Sequence, residues 1–197
     1  MFVTKRSLKA QTWWYGLCLV AFTLALLIGC GGGGGGGISG GTPGTSSGRV
    51  SFTATVTSPA GTRTFNANSV TASLGVDYIG VAGGIVGDIG IAFAFRRPSQ
   101  IPTTIILDRD AWLEDSNQEA RVVFIAGSEV GEEFTTRVGD GNATIRITSL
   151  TDNRIAGTFQ IRAESPHTGT VVTASGSFDV PKGTWQFVNG QWVGGPQ

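Results

Sequence analysis

The chain has 197 residues, 31 of them glycine, and its 14 Lys and Arg are balanced by 14 Asp and Glu. No basic stripe is present to neutralise a run of phosphates, so nucleic acid is excluded as the expected partner. Two cysteines and one histidine are too few for the usual zinc ligand sets, and the two cysteines lie only twelve positions apart near the N-terminus.

Lys5, Arg6 and Lys9 form a basic start, followed by an apolar run from Trp13 to Ile28 broken only by Gly16, Cys18 and Thr23. A membrane-spanning helix needs about 20 apolar residues. This run is shorter and ends in small residues without a basic flank, which reads as an export signal rather than an anchor. The residues at its end, Leu27-Ile28-Gly29-Cys30, resemble the lipobox of bacterial lipoproteins. The resemblance implies that the signal 1–29 is cut before Cys30, that Cys30 carries a diacylglycerol, and that its new amino terminus is acylated. No other cofactor is expected. Two or more acyl chains are what stable anchoring requires, so the membrane becomes a partner without any transmembrane segment. Gly31, where Asp would favour inner-membrane retention, points to the outer membrane in an organism that has one. Processing also removes Cys18, Lys5, Arg6 and Lys9, leaving 11 basic against 14 acidic residues and no thiol for a disulfide or a nucleophile.

Gly31–Gly37 is an unbroken glycine run, and similar composition continues to Gly48. Such a stretch cannot bury apolar surface and is expected to be a flexible linker (30–48 with the lipidated Cys), reaching roughly 20–25 Å. A phosphate-cradling glycine loop would need a strand before it and a helix after it, and neither is present.

From residue 49 the hydrophobic period becomes 2. Val50, Phe52, Ala54 and Val56 alternate with Ser51, Thr53, Thr55 and Thr57, which predicts a half-buried strand stopped at Ser58-Pro59-Ala60-Gly61. Further strands are expected over 62–67, 69–74, 76–82 and 85–95, the last two separated by Gly83-Gly84. Ile89, Ile91, Phe93 and Phe95 alternate with Gly90, Ala92 and Ala94, a pattern that suits a crowded central strand or a close backbone approach. Strand 101–107 precedes a helical turn over 108–117 anchored by Trp112. Strands 121–126 and 132–137 follow, the first with either Val122 and Phe124 or Val123 and Ile125 inward. After the turn at 139–142, Ala143, Ile145 and Ile147 alternate with polar residues. Ile155, Gly157, Phe159 and Ile161 do likewise, as do Val172, Ala174, Gly176, Phe178 and Val180. Short turns forbid parallel crossovers. The expected fold is an all-β, antiparallel β-sandwich of about nine strands over 49–181, with a closed β-barrel as the alternative and an aromatic hairpin or tail over 182–197.

Ile145-x-Ile147, Ile155-Ala156-Gly157-Thr158-Phe159 and Gly176-Ser177-Phe178-Asp179-Val180 resemble the C-terminal hairpin pattern of small uncharacterised all-β envelope lipoproteins. The resemblance covers about 40 residues and implies fold type and compartment only.

No catalytic residue is assigned. His167 lies in a polar loop, and no Gly-x-Ser-x-Gly elbow accompanies it. Asp108, Asp110, Glu114 and Asp115 form the densest acidic cluster and a weak calcium candidate; Arg109 and the missing loop spacing favour solvated and helix-capping carboxylates, so no metal is expected. The same residues with Glu132 or Glu133 could supply a glycosidase pair, for which carboxyl separation is the deciding observation. Asn189-Gly190 signals a two-residue hairpin. It would set Phe187 opposite Trp192 and Trp185 on the same face, an aromatic trio able either to close the core or to bind a sugar or peptide. The sequence thus describes a non-catalytic, lipid-anchored protein of the bacterial cell envelope with a binding or structural role. The alternatives are a carbohydrate- or peptide-binding module built on that trio and, further off, an envelope polysaccharide hydrolase; the partners would be membrane, envelope polysaccharide or protein.

Overall fold

The structure is a computed structural model that describes residues 50–124 and 132–195. The signal, Cys30, the glycine-rich linker and the distal end of the strand expected over 121–126 lie outside the described residues. Within them the elements are β1 (Ser51–Ser58), β2 (Gly61–Asn66), β3 (Ser69–Leu74), β4 (Tyr78–Ile85), β5 (Ile89–Arg96), β6 (Thr103–Asp108), α1 (Arg109–Glu114), β7 (Glu119–Phe124), β8 (Glu132–Thr135), β9 (Asn142–Leu150), β10 (Arg154–Glu164), β11 (Val171–Pro181), β12 (Gly183–Val188) and β13 (Gln191–Gly195).

All the strand pairings are antiparallel. One layer runs β13-β12-β3-β4-β5-β7-β8 and the other β6-β9-β10-β11-β1-β2. The layers meet at one pair, Thr135↔Glu164, and the sheet does not close into a barrel. The fold is therefore the expected β-sandwich. Among the described residues eleven strands fall within 50–181, against about nine expected, and the expected C-terminal hairpin adds two; β2 and β3 are two halves of one bent segment. At the bend, the Ala67 N–H donates to Phe52 O of β1 and the Asn68 N–H to Gly84 O of β4, both at 2.8–2.9 Å, so the chain leaves one layer's ladder and joins the other's.

The alternating apolar residues meet between the layers. Phe93 of β5 lies 5.7 Å from Phe159 and 5.2 Å from Phe178, ring centre to ring centre, and Phe52 lies 5.4 Å from Phe159. These rings cross the interlayer space, and Ile79, Ile89, Ile91, Ile145, Ile147 and Ile155 are fully buried around them. Two cross-strand pairs, Gly157↔Phe178 and Phe159↔Gly176, place a ring beside a glycine. A Cβ on Gly176 would stand 2.7 Å from the Phe159 ring and 2.0 Å from Thr53 O, so the close approach needs the missing side chain.

Gly83-Gly84 does not separate two strands as expected from the sequence. Both glycines lie inside β4, and the reversal comes later, at Val86-Gly87-Asp88, with the Asp88 N–H donating to Ile85 O. The reason is packing: a Cβ on Gly83 would fall 2.3 Å from the Phe52 ring. The small-residue alternation of β5 has the expected setting, since β5 lies between β4 and β7 and Gly90 faces Gly84. On β7, Val122 is the buried residue, which resolves its register.

Candidate functional site

The C-terminal hairpin is the candidate that the strand register builds most fully. Asn189 (φ 52°) and Gly190 (φ 82°) both occupy the left-handed region, the requirement of a type I′ turn. Val188↔Gln191 and Phe187↔Trp192 pair as the turn dictates, and Trp185 pairs with Gly194. Four residues of β12 add to the edge of β3, from Gly183↔Ala72 to Gln186↔Ser69, and the Phe187 N–H continues the ladder onto Asn68 O at 2.8 Å.

The three aromatics of the expected trio share a face but not an environment. Trp185 is 5% exposed and belongs to the core, with its indole N–H donating to Lys182 O at 3.3 Å. Trp192 is half-buried against the core, and Phe187 is 49% exposed. The Phe187 and Trp192 rings stand 5.5 Å apart at 59°. On the opposite face Val188 and Val193 are also open to solvent, at 47% and 44%. That second face also carries the exposed Gln186 and Gln191, so the tip shows Phe187 on one side and a mixed Val and Gln surface on the other.

The acidic cluster is divided by the helix it flanks. Asp108 caps α1, its carboxylate accepting the Ala111 N–H at 2.8 Å. Asp115 follows the helix and turns to the first layer, where it accepts from Tyr78 Oη, from the Arg96 guanidinium at 3.0 Å and from the Asn117 N–H at 3.1 Å. Burial pushes its pKa up, but the Tyr78, Asn117 and Arg96 hydrogen bonds together outweigh that and hold it below the usual carboxylate range. Asp110 and Glu114 are exposed. Among the described residues no three His, Cys, Asp or Glu side chains gather as a metal ion requires. A shallow depression of about 320 Å³ is lined by Asp108, Arg109, Asp110 and the 139–142 turn.

The remaining candidates have separate partners. Glu133 pairs with Arg121 and Glu132 accepts from the Thr168 hydroxyl. His167 is exposed in the turn between β10 and β11, its backbone N–H donating to Ser165 Oγ.

Two features escaped the sequence reading. Glu119 bridges Arg121 and Arg137, and the Arg137 guanidinium lies 5.2 Å from the Trp112 ring centre, a network that ties α1 to β7. The signal was the alternation of Glu119 and Arg121 on β7, but Arg137 comes from a distant loop. The second is the outer face of the other layer, where Thr53, Thr55, Thr57, Thr62, Thr64, Thr173, Ser175 and Ser177 form an array of hydroxyls. Thr55 and Thr64 meet at 2.8 Å, and the array borders an open depression of about 340 Å³. Cross-strand threonine pairs stabilise such a face and need no ligand. Comparison with family models, with curated proteins and with solved structures finds no match to this chain.

Proposed function

We propose that the chain is an exported lipoprotein of the bacterial cell envelope, a β-sandwich held at the membrane through acyl chains on Cys30, with a non-catalytic binding or structural role. The observation that carries the reading is the run from Lys5 to Cys30: a basic start, an apolar stretch too short to span, and Leu27-Ile28-Gly29-Cys30 at its end. The glycine-rich residues that follow give an anchored domain a spacer, and the outer membrane is the favoured destination.

The test is expression of the full chain in a bacterium, followed by mass spectrometry of the N-terminal peptide. The expected product begins at Cys30 and carries a diacylglycerol and an N-acyl chain, while Cys30→Ala stays uncleaved and unacylated. A mature chain beginning elsewhere, or an unmodified Cys30, would refute the assignment.

A further inference from the structure

We propose that the tip of the β12–β13 hairpin is a membrane-contacting element, seating Phe187, Val188, Trp192 and Val193 at the boundary between headgroups and acyl chains of the bilayer that holds the Cys30 lipid. This deepens the lipoprotein reading and rests on it.

The first argument is composition. Residues 183–195 contain no charged side chain, as is true of other strand stretches of the domain, but here the uncharged residues from 186 to 191 are all exposed. The second is that apolar side chains are exposed on both faces of the tip. Phe187 and Trp192 lie on one, Val188 and Val193 with Gln186 and Gln191 on the other, and only Trp192 is half-covered by the core. A hairpin serving only to cover the sandwich would not need to leave Phe187, Val188 and Val193 in water. An element that enters a bilayer interface has no wet face to furnish, and Trp is favoured at that depth because its ring is apolar with one polar edge.

The third argument is location. The hairpin leaves the sheet at Asn68, whose neighbour Ala67 donates to Phe52 O, and Phe52 is two residues from Val50, where the described chain begins. Following those bonds, Val50 and Phe187 lie at most about 25 Å apart. Nineteen residues, 31–49, connect Val50 to Cys30. A lipid on Cys30 would therefore tether the domain through Val50, the end of the sandwich that lies within about 25 Å of Phe187. Burial of the tip in the interface removes the exposed Phe and Val surface from water and costs no charge desolvation.

The experiment uses the full lipoprotein purified from membranes. Acylation of Cys30 is read by mass spectrometry, and the protein is reconstituted into phosphatidylethanolamine–phosphatidylglycerol vesicles containing a phospholipid brominated close to the headgroup. Bromine quenches tryptophans it touches; the mature chain has Trp112, Trp185 and Trp192. The expected result is quenching of the wild type and its loss in Trp192→Phe. In Phe187→Ser/Val188→Ser, which alters exposed positions only, quenching falls at least roughly two-fold while the protein stays acylated and vesicle-bound. Acylated wild type that is not quenched, or quenching unchanged in Trp192→Phe, overturns the proposal. So does a Trp192 emission shift on adding a soluble glycan or extended peptide without quenching by brominated lipid, which would give the tip to a soluble ligand. A Cys30 peptide without acyl chains overturns the anchoring itself, a failure the mass spectrum reports separately from hairpin contact.

Discussion

Replacing Phe159 by Ala is the perturbation to which this fold should respond most sharply. The side chain is 1% exposed, and its ring has Phe52, Phe93 and Phe178 as neighbours at 5.4, 5.7 and 6.5 Å. It also covers Gly176, which has no side chain to refill the space. A buried Phe→Ala change costs about 3–5 kcal/mol, and lost ring pairs add to the transfer loss. Three ring partners and a glycine beneath place Phe159 near about 4–5 kcal/mol, a large part of the roughly 5–15 kcal/mol available to a domain. With an unfolding entropy of roughly 0.3 kcal/mol/K for about 150 residues, the melting temperature should drop by about 13–16 °C. Phe187→Ala, at a half-exposed position outside the cluster, should cost under about 1 kcal/mol. Thermal melts and urea titrations of both variants provide the assay, and an unchanged urea slope shows that stability alone has moved. If Phe159→Ala costs no more than Phe187→Ala, the phenylalanine cluster is not the centre of the core.

Gly83→Ala should destabilise by about 2 kcal/mol or more because its Cβ meets the Phe52 ring, whereas Gly80→Ala, in the same strand with open space at its Cβ, should stabilise by about 0.4–1 kcal/mol; urea midpoints of opposite shift are expected. Asp108→Ala removes the α1 cap and should cost about 1 kcal/mol in the same titration. Asp115 has a native pKa held below its unfolded value, so its contribution is present above the unfolded pKa and is lost as pH falls through the native one. The melting-temperature gap between wild type and Asp115→Asn should thus be widest near neutral pH and close below about pH 4; a gap that widens in acid would reverse the assignment.

Much of the sandwich is legible as period 2 because each layer has one face against the other layer and one in water. That condition holds best for β1, β9, β10 and β11, whose expected inward residues are the observed ones. Gly83-Gly84 was misleading because glycine marks both turns and places where a ring from another layer needs the Cβ volume, and only the partner, Phe52, distinguishes them. The Tyr78–Arg96–Asp115 group left no local trace, and of the Glu119–Arg121–Arg137 group only the Glu119–Arg121 alternation was local, since the other members are brought together by sheet order and loop return rather than spacing. At the candidate site, Asn189-Gly190 was enough to set the Phe187↔Trp192 register. Burial was not legible there, because Trp185 and Phe187 share a face and differ only in whether β3 and the core extend beneath them.

That difference decides how the hairpin should be understood. Trp185 is the residue that fixes β12, through its buried ring, its indole hydrogen bond to Lys182 O and its pairing with Val70 at the edge of β3. Two residues later the support ends: Phe187 still donates to Asn68, and nothing of β3 continues past it. The tip is therefore carried on a rigid base, so its exposed rings are held in place before any contact is made and lose little further freedom on making one. Trp185→Ala should then act in two ways at once, lowering stability by about 3–5 kcal/mol as a core deletion and releasing the tip. Phe187→Ser should affect the tip alone. A Trp185→Phe variant, which keeps most of the apolar volume but loses the indole donor, separates the two. If the base is what positions the tip, its Trp192 emission should stay as blue-shifted as in the wild type, whereas a red shift equal to that of unfolded protein would show that the hairpin is held by the indole hydrogen bond rather than by packing.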